Sequence, residues 1–182
     1  MPDDRAAGLS GGAQAEPGCG GAEHPRRHPA AGVLAALGAR GETLAVAESL
    51  TGGLLAATIV DVPGASRVFR GGLVVYATEL KASLAGVDAG LLARRGPVDP
   101  DVARELARGA ALRCGAQWGL STTGVAGPDA QGGIAAGTVY IGLSYPDGRT
   151  GARRLDLAGD RPAIRRAVVA AALRLMAESV PR

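Results

Sequence analysis

Three residues of this chain, Ser49, Tyr76 and Lys81, have the types needed for nucleophilic catalysis. A serine hydroxyl needs a base to take its proton before it attacks a carbonyl carbon. Histidine usually serves, but both histidines, His24 and His28, lie near the N-terminus. From Ala30 onward the chain offers no Ser-His-Asp triad, no Cys-His dyad and no His-rich zinc site, unless the tail folds back to supply one. Lysine is the alternative base. The chain holds one lysine, Lys81, among 20 Lys plus Arg. Lysine loses its proton when buried or placed beside other cations, whereas arginine stays charged. A Ser49–Lys81 pair is therefore a candidate for acyl transfer, with Tyr76 orienting or relaying the proton. Backbone N–H groups at Leu50 to Gly53 are candidates for an oxyanion hole.

Each residue also has a plainer role. Ser49 or Thr51 can act as a helix N-cap, and on this stretch alone the cap is the simpler reading. Tyr76 can be a core residue with a satisfied hydroxyl. Lys81 can be a chance surface lysine, or pair with Glu48 or Glu79. Spacing alone does not choose between the two sets of roles.

The elements that must position these residues can be read from the apolar pattern. Leu44 to Ala47 reads as a strand, followed by Glu48–Gly53 and a helix over Leu54 to Val60. The helix start offers unpaired N–H groups, and Gly52 and Gly53 let a ligand approach the backbone. Before it, Val33, Leu34 and Leu37 mark one face of a helix that Gly41 ends. Leu73 to Tyr76 is short and β-branched, as expected of a strand buried on both faces. Helices are expected over Ala77 to Ala85 and Asp88 to Arg95, and from Asp99-Pro100 to about Cys114. Gln117 to Thr123 and Thr138 to Tyr145 read as strands around a glycine-rich loop, Gly124 to Gly137. Pro146-Asp147-Gly148 is a turn signal before a partner strand, Thr150 to Leu157, and Asp160 opens the last helix. Such a succession predicts a single-domain, layered α/β/α fold with a mixed β-sheet. Sites in such sheets gather at strand C-terminal ends, where Ser49 and Tyr76 are expected to meet the glycine-rich loop. That loop lacks the Walker A and dinucleotide patterns, but its N–H groups suit a phosphate or ribose.

Composition narrows the classes. Residues 1–29 are rich in Gly, Ala and Pro without periodicity and are expected to be disordered; 30–182 form the domain. Aromatic residues make up only 3%, too few for base-stacking platforms, and no DNA-binding motif is present. No nucleic-acid partner is expected. No apolar run is long enough to span a membrane, no signal pattern opens the chain, and Cys19 and Cys114 have no metal-ligand spacing. These features point to a cytoplasmic protein with no membrane partner.

Five motifs in order, AESLTGG (Ala47–Gly53), GGLVVYATELKASLAGV (Gly71–Val87), TGVAGPD (Thr123–Asp129), GTVYIGL (Gly137–Leu143) and GDR (Gly159–Arg161), resemble the CinA C-terminal domain family. This is the family of nicotinamide-nucleotide amidohydrolases. The resemblance implies hydrolysis of nicotinamide mononucleotide to nicotinate mononucleotide and ammonia, without cofactor or metal. It implies Ser49, Tyr76 and Lys81 as catalytic residues. It places Thr51, Gly52, Gly53, Arg70, Thr123, Gly124, Gly127 and Thr138 near a nucleotide substrate, and it implies a homo-oligomer. The chain departs from the family's usual GGxxxxPVGTV loop, reading GGIAAGTV. Many relatives carry a large N-terminal domain; with only a short tail before the motifs, the stand-alone form is expected. Two alternatives stand beside this reading. One is a module that binds a phosphorylated nucleotide without turnover; the other is a Ser/Lys amidase for a different amide.

Overall fold

The computed structural model describes residues 28–181, so most of the 1–29 tail lies outside it. Five strands form one mixed sheet: β1 (Leu44–Glu48), β2 (Phe69–Val74), β3 (Trp118–Gly124), β4 (Thr138–Ser144) and β5 (Thr150–Asp156). Their spatial order is β2-β1-β3-β4-β5. β1 runs parallel to both β2 and β3, whereas β3–β4 and β4–β5 are antiparallel. β1 is thus an interior strand, and every one of its five residues is buried.

The layers follow from the alternation of β1. Leu44 and Val46 face a core built with α1 (Ala31–Ala39), α2 (Leu54–Val60) and the C-terminal helix, which bring Leu37, Ile59 and Met176. Ala45 and Ala47 face the opposite core, with Leu92, Val102 and Leu106. On that side lie α3 (Thr78–Ser83), α4 (Ala89–Arg95) and α5 (Pro100–Cys114); the C-terminal helix is α6 (Arg161–Ser179). Small residues bring α5 unusually close to the sheet. A Cβ on Gly119 would sit 1.8 Å from the Ala107 carbonyl oxygen, and one on Gly142 would sit 2.0 Å from that of Ala103. The expected α/β/α sandwich is therefore the observed fold.

Two expectations need correction. β2 starts at Phe69, not Leu73, and is an edge strand that alternates between half-buried and exposed residues. Only Val75, just past its end, is fully buried. Gly71 and Gly72 are strand residues, paired with Ala45 and Val46, and a Cβ on Gly72 would come within 2.8 Å of the Val46 side chain. Secondly, neither Ser49 nor Thr51 caps α2. The N-cap is Gly53, in the left-handed region with φ 94° and no side-chain cap of its own. Asp88, Asp99 and Asp160 do cap their helices, accepting from Leu91, Asp101 and Ala163.

Candidate active site

The chain leaves β1 at Glu48 and turns through Ser49 to Gly53 into α2. The carboxylate of Glu48 is wholly buried and accepts the N–H groups of Gly53, Leu55 and Ala56 at 2.8–3.0 Å. Glu48 is therefore the group that satisfies the first turn of α2. Ser49 N–H donates to Thr122 on β3, and Gly52 N–H folds back to Ser49. Of the four N–H groups expected to serve as oxyanion donors, those of Gly52 and Gly53 are thus occupied. Those of Leu50 and Thr51 have no acceptor among the described residues.

Lys81 projects from α3 to the same place. It is 1% exposed, so the surface-lysine reading does not hold. Its Nζ donates to Val75 O at 2.8 Å and Tyr76 O at 3.4 Å, and lies 3.2 Å from Ser49 Oγ. Burial disfavours the ammonium and pulls the Lys81 pKa down to about 8, against a weaker opposing pull from Glu79. A neutral amine has two N–H donors and one lone pair. With the donors on Val75 and Tyr76, the lone pair is left for the Ser49 hydroxyl. The ammonium donates to all three oxygens; loss of the proton that faces Ser49 leaves a lone pair directed at the serine hydroxyl.

Around this pair opens a cavity of about 130 Å³ at the C-terminal ends of β1 and β3. Its walls include Ser49, Tyr76, Lys81, Thr123, Gly127 and Arg161. Tyr76 is exposed at the mouth, not buried in the core, and its hydroxyl accepts from Arg161 Nη2 at 2.8 Å. Arg161 Nη1 also donates to Gly127 O at 2.9 Å, so one guanidinium ties the tyrosine to the glycine-rich loop. That loop folds back on itself, Gln131 and Ile134 exchanging both backbone hydrogen bonds across Gly132-Gly133.

The CinA C-terminal domain model matches residues 27–180. The chain belongs to the CinA C-terminal domain family. A CinA-like protein of Frankia casuarinae is 56% identical over 144 residues, covering 79% of this chain and 33% of that protein. A CinA-like protein of an Anaeromyxobacter species is 48% identical over 147 residues, covering 79% and 35%. The chain thus spans about a third of the length of the curated relatives it matches. Among solved structures, a competence-damaged protein (CinA) superfamily protein of Klebsiella pneumoniae 700603 shares the fold with a TM-score of 0.81 at 30% identity. That match covers 84% of this chain and 95% of the other.

In this CinA-family chain, Ser49, Tyr76, Lys81, Thr123, Gly124 and Gly127 all line the one cavity. The other residues singled out by motif position lie elsewhere. Thr51 is fully buried with its hydroxyl on that of Thr122 at 2.7 Å. Gly52 and Gly53 shape the turn behind the cavity with φ of 58° and 94°. Arg70 lies on edge strand β2, its Nε donating to Cys114 O. Thr138, at the start of β4, faces a separate hollow that includes Ile134 and Tyr140. Two further residues, Arg161 and Glu48, belong to the site. Arg161 had a visible signal, the GDR motif at a helix start, but nothing in spacing joins it to Tyr76. Glu48 sat beside Ser49, yet a carboxylate serving the following helix is seen only once the turn is folded.

Among the described residues no group of three or more His, Cys, Asp or Glu is arranged to hold a metal ion. No helix among them is long and apolar enough to cross a membrane.

Proposed function

We propose that this protein is an amidohydrolase that converts nicotinamide mononucleotide to nicotinate mononucleotide and ammonia. The observation that carries the reading is the buried Lys81 Nζ, 3.2 Å from Ser49 Oγ beside an open cavity. Nearest-in-type chemistry is acyl transfer, and the family resemblance supplies the carboxamide.

Ser49 Oγ attacks the amide carbon while its proton passes to neutral Lys81. The carbonyl electron pair moves to oxygen, and the free N–H of Leu50, which lines the cavity, is the candidate donor to that oxyanion. Collapse breaks the C–N bond, and the Lys81 ammonium returns the proton to the departing nitrogen, giving ammonia and a Ser49 ester. Water then attacks the ester with Lys81 again as base. The second collapse releases the acid and restores the serine hydroxyl. Tyr76, held by Arg161, lines the same cavity and is the candidate to orient or relay the proton.

The substrate is the small-molecule nucleotide partner in this reading, with no metal or nucleic acid involved, and the protein acts in the cytoplasm as a homo-oligomer. The test is ammonia release from nicotinamide mononucleotide by the purified chain. Ser49→Ala is expected to abolish it, and full activity in that variant refutes the mechanism.

A further inference from the structure

Asp129 is the one carboxylate among the described residues that line the cavity. An aspartate in a loop ordinarily bonds a nearby backbone N–H and shapes a turn. Asp88, Asp99, Asp147 and Asp160 do so, accepting from Leu91, Asp101, Arg149 and Ala163. Among the described residues Asp129 accepts no such bond and makes no ion pair. The loop that carries it is nevertheless fixed on both sides. Gly127 O is held by Arg161, and Gln131 and Ile134 bond each other's backbone. An exposed carboxylate without a partner is thus held at the wall of the cavity that contains Ser49 and Lys81.

The other ionisable amine and guanidinium groups at this cavity are basic. Lys81 and Arg161 line it, and Arg161 is not paired with Asp129: its guanidinium donates to the Tyr76 hydroxyl and to Gly127 O. The ring of nicotinamide mononucleotide is an N-substituted pyridinium and carries a formal positive charge. Its ring nitrogen is three bonds from the amide carbon. With that carbon at Ser49 Oγ, the ring cation lies within the cavity. Without an anion at the wall, a cationic ring would meet only basic groups there. Asp129 reverses that sign. Opposite charges attract more strongly in a partly dry pocket than in bulk water, and an uncharged ring gains nothing from the carboxylate.

We propose that Asp129 is a specificity-determining residue that selects amides carried on a cationic ring, the N-substituted pyridinium carboxamides, over their uncharged counterparts. The inference rests on the amidohydrolase reading for the orientation of the ligand, with its amide at Ser49. Its own readout is binding, which needs no turnover.

Binding is measured by calorimetry in the Ser49→Ala chain, which cannot acylate, with nicotinamide mononucleotide and with its dihydro form. The two share carboxamide, ribose and phosphate and differ in ring charge. The oxidised form is expected to bind about 10-fold tighter. Asp129→Asn in that background is expected to weaken the oxidised form about 10-fold and to move the dihydro form by less than about twofold. Nicotinamide riboside, a cation without phosphate, is expected to lose affinity by the same factor, which assigns the effect to the ring and not to the phosphate. Equal binding of the two forms by Ser49→Ala, an unchanged preference in Asp129→Asn, or an unmoved riboside overturns the proposal. So does an equal loss for both forms, which is what a merely structural role of the loop would give, and so does failure of Ser49→Ala to bind either form. If the preference is present and Asp129→Asn removes it, yet the unaltered chain releases no ammonia, the amidohydrolase reading fails and the selection by ring charge stands. Should Asp129→Asn fail to fold, Asp129→Ser carries the same comparison.

Discussion

The protonation state of Lys81 makes the most demanding prediction, because the base must be neutral to act. With its pKa lowered to about 8, roughly a quarter of Lys81 is neutral at pH of about 7.5, against about one part in a thousand at the ordinary 10.5. Burial therefore raises the reactive fraction by about two hundredfold. In the free enzyme, kcat/KM should climb about tenfold per pH unit below 7 and level off above about 9, with its midpoint near 8. The assay is initial-rate ammonia release from nicotinamide mononucleotide across that range. Lys81→Arg tests the same point from the other side. It keeps a cation beside Ser49 but removes the proton acceptor, so kcat should fall by at least about 100-fold, the lower end for a general base. A flat pH profile refutes the reasoning. So does an Arg variant of near-normal rate, since charge alone would then suffice.

Three further outcomes are expected. The folded chain holds Lys81 at about 8 whereas the unfolded chain returns it to 10.5, so between those values the unfolded state binds more protons. Stability should therefore rise with pH across that window, by roughly 3 kcal/mol in all. Urea unfolding at a series of pH values should show the slope in the unaltered chain and its loss in Lys81→Met. Glu48→Ala strips three backbone donors of their partner and should cost roughly 2–4 kcal/mol, read as a fall in urea midpoint. It should also lower kcat, because the turn bearing Ser49 loses its Glu48 anchor. Gly119→Ala forces a Cβ to 1.8 Å from Ala107 O, so α5 must lift from the sheet. A loss on the order of 3 kcal/mol or more is expected in thermal melts, and an unchanged melting temperature would mean that the helix shifts freely.

The amino-acid sequence by itself determined a good deal. The absence of histidine from residues 30–182 and the single lysine make Lys81 the candidate base on residue type alone. Periodicity and Asp-Pro starts located most helices, because apolar spacing and capping are local properties of a few neighbouring residues. The three-layer fold followed from the order of the elements. Tertiary structure alone decided the rest. The edge position of β2 depends on which strand pairs with β1, which no pattern within Phe69–Val74 encodes. Thr51, Gly52 and Gly53 share a motif with Ser49, yet the turn directs them away from the cavity wall; motif membership records proximity in sequence, not orientation. The depressed pKa of Lys81 comes from desolvation by surrounding residues, so it does not exist in the extended chain. The same holds for Arg165, whose guanidinium donates to the carbonyls of Leu50 and Thr51, 115 and 114 residues away. Residue types supplied the possible chemistry; long-range packing chose which groups lost water, and so which of them can react.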